Sequence, residues 1–297
     1  MKFLIIIPAH NEEQNIRLCL SSLEQQTYRN FHLVVVDDGS LDNTLEIVQD
    51  FKENSEIGTK MSVVSLVQSR HEPGAKVVRT FNKGLETQDL SGFQVICKFD
   101  ADIIFPDNYL EVINTIYETN PKAGMVSGIV KISKKEFDET KAHDFEDKEQ
   151  QWKFENISSK NHVRGPIKSY RKECFQAMNG LRPVLGWDNI DVMLSALYGW
   201  EVVTAKELWV KHLRPTAFQY RKQKAEKLGE YFYNIGLSWP LAVISSAKSS
   251  LKNRSLSEFI TTIKTFMKQN HPLELTKEEI QFIRKHRWNQ MLKRRKS

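Results

Sequence analysis

Residues 1–215 alternate short apolar runs with segments in which apolar residues recur every three or four positions. The short runs predict strands, and the wider spacing predicts amphipathic helices. We expect strands at residues 3–8, 32–36, 61–67, 95–99, 123–130, 164–170, 202–203 and 208–210. Helices are expected between them, including one that ends at Gly84. This order is typical of an α/β fold with a mostly parallel, Rossmann-like sheet flanked by helices.

Two parts of the chain depart from this pattern. Residues 134–160 are highly charged and predict a surface helix or a mobile excursion. Past residue 216 the strand signals largely stop, so we expect an α/β domain at residues 1–215 and a helical extension at 216–297. Within the extension, residues 231–247 are apolar and aromatic, which suits a membrane interface or a helical pair packed against the body.

The net charge of +6 conceals an asymmetry along the chain. Residues 216–297 hold 17 Lys and Arg against 6 acids, a net charge of +11, which leaves −5 on the rest of the chain. A basic tail of this kind could contact nucleic acid or anionic lipid. We predict a lipid surface and no nucleic-acid partner, because an apolar, aromatic stretch precedes the tail.

The three cysteines are far apart and lack metal-type spacing, which predicts reduced thiols in a cytoplasmic protein. The apolar run at residues 3–7 is too short for a signal-peptide core, and no run approaches the roughly 20 apolar residues that span a bilayer. We therefore expect a cytoplasmic protein that is not integral to the membrane and that associates, at most, with its inner face.

Polar turns follow several of the predicted strands. They are the segments at residues 8–12, 37–40, 100–102 and 188–191. Ligands of open α/β sheets bind outside the carboxyl ends of the strands, so such turns face a crevice. Asp100 and Asp102 are two residues apart, which directs both carboxylates to the same side and suits one hard divalent cation.

Taken together in this order, the turns resemble those of the family 2 inverting glycosyltransferases, which have the GT-A fold for nucleotide-diphospho-sugars. The resemblance covers residues 2–215 and is strongest at residues 5–44. It implies transfer of a sugar from a nucleotide-diphospho-sugar, with UDP-sugars favoured, to a glycan or lipid-linked hydroxyl acceptor. The processive-synthase signature Q-x-x-R-W is absent after residue 200, so transfer of one sugar is expected, in the synthesis of a cell-surface polysaccharide or glycolipid.

The resemblance also implies roles for residues at the nucleotide end of the site. Asp38, with Asp37 as the alternative, would accept hydrogen bonds from the base and ribose, because carboxylates accept from N–H and O–H groups. The same pocket would be lined by Pro8, Ala9 and Glu12. After the third strand, Arg70 or Lys76 would offset phosphate charge.

Asp100 and Asp102 match the D-x-D motif that holds Mg²⁺ or Mn²⁺ against the diphosphate in this family. A cation there would stabilise the charge that develops on the leaving nucleoside diphosphate. Oxygen ligands favour these metals over zinc. His212, which follows an apolar run near the end of the resembling region, is a candidate third ligand of the metal or of the diphosphate.

The last requirement is a base that takes the proton of the acceptor hydroxyl. The family uses a Glu-Asp pair at the start of a helix, whereas this chain has Trp187-Asp188 and then Asp191. Asp188 is our first choice for the base, with Asp191 as the alternative. Trp187 could stack on the face of an acceptor sugar.

The altered pair leaves a second hypothesis, a non-catalytic domain that binds sugar nucleotides or acts as a scaffold. A nicotinamide enzyme is disfavoured because no G-x-G-x-x-G follows the first strand.

Overall fold

The computed structural model describes residues 1–67, 72, 74–146, 152–155, 163–214 and 223–293. Within these ranges, the strands are β1 Phe3–Ala9, β2 Phe31–Asp37, β3 Met61–Ser65, β4 Val95–Phe99, β5 Ile103–Ile104, β6 Ala123–Ser133, β7 Trp152–Phe154, β8 Ile167–Arg171 and β9 Glu201–His212. The α-helices are α1 Ile16–Glu24, α2 Thr44–Asn54, α3 Ala75–Glu86, α4 Tyr109–Thr119, α5 Lys172–Ala177, α6 Trp187–Leu197, α7 Lys224–Asn234, α8 Trp239–Asn253, α9 Leu256–Lys268 and α10 Lys277–Lys293.

The strands form one mixed sheet in the order β3-β2-β1-β4-β8-β6-β9-β5, and β7 pairs with β6. In the first half, β3, β2, β1 and β4 are parallel, with Ile5 of β1 opposite both Leu33 and Cys97. Their carboxyl ends therefore meet at one edge, where the predicted polar turns lie. The α/β architecture with a C-terminal set of helices is confirmed.

The strand β8 runs antiparallel to both of its neighbours, β4 and β6. It pairs Lys98 with Lys168 and Phe99 with Ile167. This pairing brings the loop before β8 next to the D-x-D turn, and the backbone N–H of Asp100 donates to the carbonyl of Pro166 at 2.9 Å. The sheet departs here from a purely parallel order, and the reversal builds one wall of the site.

The two faces of the sheet pack into separate hydrophobic clusters, because successive strand residues point to opposite sides. One cluster contains Phe3 and Ile5, and the other contains Leu4 and Ile6. The second cluster also includes side chains from the C-terminal helices α7, α8 and α10: Phe232, Leu241 and Ile283 among them. Much of the aromatic stretch at 231–247 thus packs against the body, as the second of our two interpretations proposed.

The prediction that Gly84 ends a helix is wrong, since Gly84 lies inside α3. A Cβ atom at this position would lie 2.5 Å from a side-chain carbon of Val36 and 2.9 Å from one of Ile6. Glycine is needed here because the helix backbone approaches the sheet closely, and not because the chain turns.

The charged segment at 134–160 contains a short 3₁₀ turn, Glu139–Lys141, and the strand β7 in its described residues. Residues 147–151 and 156–162 lie outside the described residues, as does the expected domain boundary at 215. Across the described part of the chain, no helix combines the length and the apolar character needed to cross a membrane.

Candidate active site

A cavity of about 590 Å³ opens at the carboxyl ends of β1, β2 and β4 and at the start of α6. Its lining includes Lys76 of α3 and residues from each of the predicted turns: Pro8, Ala9, Glu12, Asp38, Asp100, Asp102 and Asp188. The structure therefore brings together, in one place, most of the candidate residues that are spread over 180 positions of the sequence.

At one end of the cavity, Asp38 is 2% exposed and held by two partners from α3. Thr80 Oγ1 donates to its Oδ2 at 2.9 Å, and Lys76 Nζ lies 3.4 Å from the same oxygen. Asp37, the alternative, accepts from the backbone N–H of Ser40 at 3.3 Å and is not part of the cavity wall. The structure therefore favours Asp38 over Asp37, and Arg70 lies outside the described residues.

Glu12 stands between the two ends of the cavity and is 8% exposed. Burial, reinforced by the nearby negative charge of Asp102, raises the pKa of Glu12 to about 7, although Arg214 pairs with it and lowers the pKa. The backbone N–H of Glu12 donates to Thr44 at 2.7 Å, which fixes the turn after β1. The Glu12 carboxyl is thus close to its titration point at neutral pH.

Asp100 and Asp102 both line the cavity, as their spacing predicted. Asp100 forms an ion pair with Lys98, a lysine within β4 that is only 2% exposed. A second contact of the Lys98 ammonium, at 3.4 Å, is with the carbonyl of Gly165. The first carboxylate of the motif is therefore held by a buried cation from its own strand.

Asp102 is 5% exposed and is paired with cationic side chains from the end of β9 and beyond. His212 Nε2 lies 3.4 Å and Arg214 Nε 3.5 Å from its Oδ2. Burial would raise the pKa of Asp102, but the hydrogen bond and charge of His212, together with Arg214, outweigh it and hold the pKa below its ordinary value. Asp102 is therefore negatively charged at neutral pH.

His212 lies behind Asp102, between that carboxylate and the buried Glu155. Burial lowers its pKa, but hydrogen bonds to Asp102 and Glu155 prevail and raise the pKa to about 9. Glu155 in turn pairs with Arg164 at 2.8 Å. In this arrangement His212 is an imidazolium that pairs with the charged Asp102. It could ligate a cation through Nε2 only after losing the proton on that nitrogen.

The donor chemistry around Asp102 suits a divalent cation that is shared with a ligand. Among the described residues, no three or more His, Cys, Asp or Glu side chains form a metal cage. Mg²⁺ and Mn²⁺ need no such cage, because sites of this kind use one or two carboxylates and complete the coordination with substrate phosphates. Asp100 and Asp102, two carboxylates on one cavity wall, fit that requirement.

Asp188 lies in the first turn of α6 and lines the cavity opposite the D-x-D turn. The helix begins after Gly186, whose φ of 93° requires glycine and turns the chain sharply into the helix. Trp187 precedes Asp188, and its ring is 6% exposed. The ammonium groups of Lys98 and Lys168 lie 5.3 and 5.2 Å from this ring, so Trp187 packs against two cations, and it also lines the cavity.

Asp191, the alternative base, lies one turn further along α6 and is 2% exposed. Its carboxylate accepts from Lys168 Nζ at 2.6 Å and from the hydroxyl of Tyr170 at 2.6 Å. Burial raises the pKa of Asp191 above its ordinary value, against the charge of Lys168. Asp191 is not part of the cavity wall, and the structure favours Asp188 for contact with a substrate.

We expect Asp191→Asn to lower the free energy of unfolding by about 3–5 kcal/mol, because it leaves the fully buried Lys168 without its ionic partner. Chemical denaturation followed by circular dichroism measures this difference. Glu86→Gln is the matched control, since it breaks the exposed pair of Lys83 and Glu86 and should cost less than about 0.5 kcal/mol. Equal stability of the two variants would contradict the structural role of Asp191.

Several charged residues of the site were not found from the sequence. They are Lys98, Glu155, Arg164, Lys168 and Arg214. Lys98 did carry a signal, because it interrupts an otherwise apolar strand at a position that should be buried, whereas Lys168 lies beside the polar residues Ser169 and Arg171 in β8. The pairing of Glu155 with Arg164 and His212 depends on contacts between distant segments, which no local pattern shows.

An α/β sheet with a nucleotide-type turn after β2, a D-x-D turn after β4 and an acid at the start of α6 defines the GT-A class of nucleotide-diphospho-sugar transferases. Residues 4–178 match the family model described as Glycosyl transferase family 2. The chain therefore belongs to glycosyl transferase family 2, as its motifs predicted.

Two curated relatives show how far the sequence similarity extends. The poly-beta-1,6-N-acetyl-D-glucosamine synthase of Staphylococcus epidermidis is 28% identical over 130 residues, which cover 44% of this chain and 29% of that protein. The uncharacterized glycosyltransferase YibD of Escherichia coli is 32% identical over 118 residues, 40% of this chain and 29% of that protein. The matched region thus spans less than a third of either relative.

Solved structures extend the likeness over most of the chain. The mannosyltransferase PcManGT from Pyrobaculum calidifontis, in complex with GDP-Man and Mn²⁺, superposes with a TM-score of 0.60 at 18% identity, covering 89% of this chain and 73% of that one. TarS 1–349 from S. aureus, in complex with UDP-GlcNAc, gives 0.57 at 18% identity, covering 79% and 66%. At these identities the likeness establishes the GT-A fold alone.

Proposed function

We propose that this chain is a metal-dependent, inverting glycosyltransferase that moves one sugar from a nucleoside-diphosphate sugar to a hydroxyl acceptor. One observation carries the proposal: Asp38 with Lys76, Asp100 with Asp102, and Asp188 line a single cavity. These groups are what the reaction requires, namely recognition of the nucleotide, neutralisation of the diphosphate and removal of a proton.

The end of the cavity at Asp38 would bind the nucleoside. The Asp38 carboxylate is buried and oriented by Thr80, so it can accept from ribose hydroxyls or from an imide N–H with little loss of side-chain entropy. Lys76 adjoins it and can turn toward the diphosphate. A UDP-sugar is the favoured donor, and the two structural relatives in complex with GDP-Man and UDP-GlcNAc support a nucleotide-sugar of this class.

Asp100 and Asp102 would hold Mg²⁺ or Mn²⁺, the second of which is present in the mannosyltransferase structure. Such a cation would offset the charge that appears on the leaving nucleoside diphosphate. Lys98 and Arg214 keep the two carboxylates in place before a donor arrives. His212 is better assigned to support Asp102 from behind than to bind the cation itself.

Asp188 would act as the base. Its carboxylate takes the proton of the acceptor hydroxyl, the hydroxyl oxygen forms a bond to the anomeric carbon, and the bond from that carbon to the diphosphate oxygen breaks. Attack from the face opposite the diphosphate inverts the anomeric configuration. The similarity to the poly-beta-1,6-N-acetyl-D-glucosamine synthase supports a glycan acceptor in polysaccharide or glycolipid synthesis.

A thermal-shift screen of nucleoside diphosphates with Mn²⁺ tests the donor site directly. UDP at about 100 times its Kd should stabilise the protein by about 2.7 kcal/mol and raise Tm by about 5 °C, and the rise should vanish with EDTA. The positive result is then followed by turnover of the matching UDP-sugars. Binding without turnover of any donor or acceptor would favour the non-catalytic hypothesis, and no metal-dependent shift with any nucleotide would contradict the proposed site.

A further inference from the structure

The helical hairpin formed by α8 and α9 exposes large apolar side chains on its outer surface. Their exposed fractions range from 43% to 78%, and they are Trp239, Ile244, Leu251, Leu256, Ile260 and Met267. Leu251 and Leu256 flank the turn of the hairpin, at 78% and 74% exposed. They border an apolar groove of about 370 Å³ that also includes Phe259. Exposed apolar residues clustered at one turn usually mark an interaction surface.

Leu251 and Leu256 contribute little to the packing of the hairpin itself, whereas Trp239 packs edge-to-face on Phe266 between α8 and α9. The inner side of α8 already contributes Leu241 and Ala242 to the core. The helix α9 packs so closely on α7 that a Cβ atom on Gly229 would lie 2.4 Å from the carbonyl oxygen of Thr262. The outward-facing leucines therefore have no structural role that the described residues reveal.

The charge on the hairpin is strongly one-sided. Residues 239–268 contain five basic side chains and a single acid, Glu258. Three of the five, Lys248, Lys252 and Arg254, lie at or near the turn, next to Leu251 and Leu256. Lysine and arginine can place their charged ends at lipid headgroups while neighbouring apolar residues enter the acyl boundary.

We propose that the turn of the α8–α9 hairpin docks on an anionic lipid bilayer, with Leu251 and Leu256 inserted and Lys248, Lys252 and Arg254 at the headgroups. A second copy of the same hairpin is a poorer partner, because it would present the same excess of positive charge. No residue of the hairpin lines the cavity of the candidate active site. The proposal therefore goes beyond glycosyl transfer and can be tested without a donor, a metal or an acceptor.

Co-sedimentation with vesicles of phosphatidylcholine, with and without phosphatidylglycerol, tests this docking. The full chain should bind vesicles that contain phosphatidylglycerol at low salt. It should bind much less to vesicles of phosphatidylcholine alone, or to either kind at high salt. Lys252→Glu with Arg254→Glu should lower the partition coefficient by at least about tenfold, since each basic residue near such a surface contributes measurably to binding. Leu251→Ser with Leu256→Ser should lower it similarly.

Matched controls separate a local effect from a change in total charge or surface hydrophobicity. Lys52→Glu with Lys122→Glu alters the net charge by the same amount on the α/β body, and Val67→Ser removes a 92%-exposed aliphatic residue elsewhere. These variants should stay within about twofold of the wild type. The proposal is overturned if the hairpin variants also stay within twofold, if the wild type ignores anionic vesicles, or if the leucine variant abolishes self-association but leaves vesicle binding intact.

Discussion

Replacing Asp102 with asparagine is expected to lower the rate of sugar transfer by about a thousandfold. The physical reason is that the leaving nucleoside diphosphate then lacks full charge compensation, and a single interaction at such a site is commonly worth that factor. The change is nearly isosteric, and it removes a carboxylate that His212 and Arg214 hold in its charged form. Steady-state transfer with saturating Mn²⁺ measures the effect.

The Asp102 variant should also lose the metal-dependent part of the thermal shift with UDP, while it keeps any shift that UDP gives in EDTA. Asp107→Asn is the control, because Asp107 is exposed and lies five residues along the same segment. Wild-type transfer by the Asp102 variant would mean that the D-x-D turn does not compensate the diphosphate, and the assignment of this end of the cavity would have to be abandoned.

Replacing Asp188 with asparagine is expected to lower kcat by about a thousandfold with little change in donor binding. An amide cannot take the proton of the acceptor hydroxyl, and general-base catalysis typically contributes factors of about 10²–10⁴. The thermal shift with UDP and Mn²⁺ should therefore match that of the wild type. This pattern would distinguish Asp188 from Asp102, whose replacement affects both binding and turnover.

Glu173→Gln serves as the control for Asp188, since Glu173 is an acid in the first turn of a helix that is exposed and outside the cavity. Its activity should be unchanged. A fully active Asp188 variant would exclude Asp188 as the base. It would also reopen the question of Asp191, despite the burial of that residue against Lys168.

The longer strands and their order along the chain were predictable because buried strands leave apolar runs, whereas the short strands β5 and β7 were not expected. The clustering of Asp38 and Asp100 was also predictable, since the turns after parallel strands meet at one sheet edge. Asp188 starts a helix and follows no such strand, and only the family resemblance grouped it with them. The choice between Asp37 and Asp38 was not, because both belong to the same turn and only the side-chain contacts with Thr80 and Ser40 separate them.

Other features depended on contacts between distant parts of the chain. Gly84 has the local pattern of a helix end, and only the approach of α3 to the sheet shows why glycine is required within the last turn of the helix. The sequence alone does not decide between Asp188 and Asp191 as the base. In the structure, Lys168 comes from a strand 20 residues before Asp188 and binds the carboxylate of Asp191. The antiparallel pairing of β8 with β4 places Lys168 beside Asp191. No local pattern in the sequence predicts this pairing.

The insertion of Phe232, Leu241 and Ile283 into the same core as Leu4 and Ile6 has a practical consequence. The smallest fragment that folds must reach at least into α10, although the family match ends at residue 178. A chain truncated near residue 215 would expose the residues of α6 that pack on α10 and would leave the buried Arg182 without its partner Glu279, so it should aggregate. Exchanging C-terminal segments between relatives would likewise require the inner surfaces of α7, α8 and α10 to be transplanted together with the residues on which they pack, including those of α6.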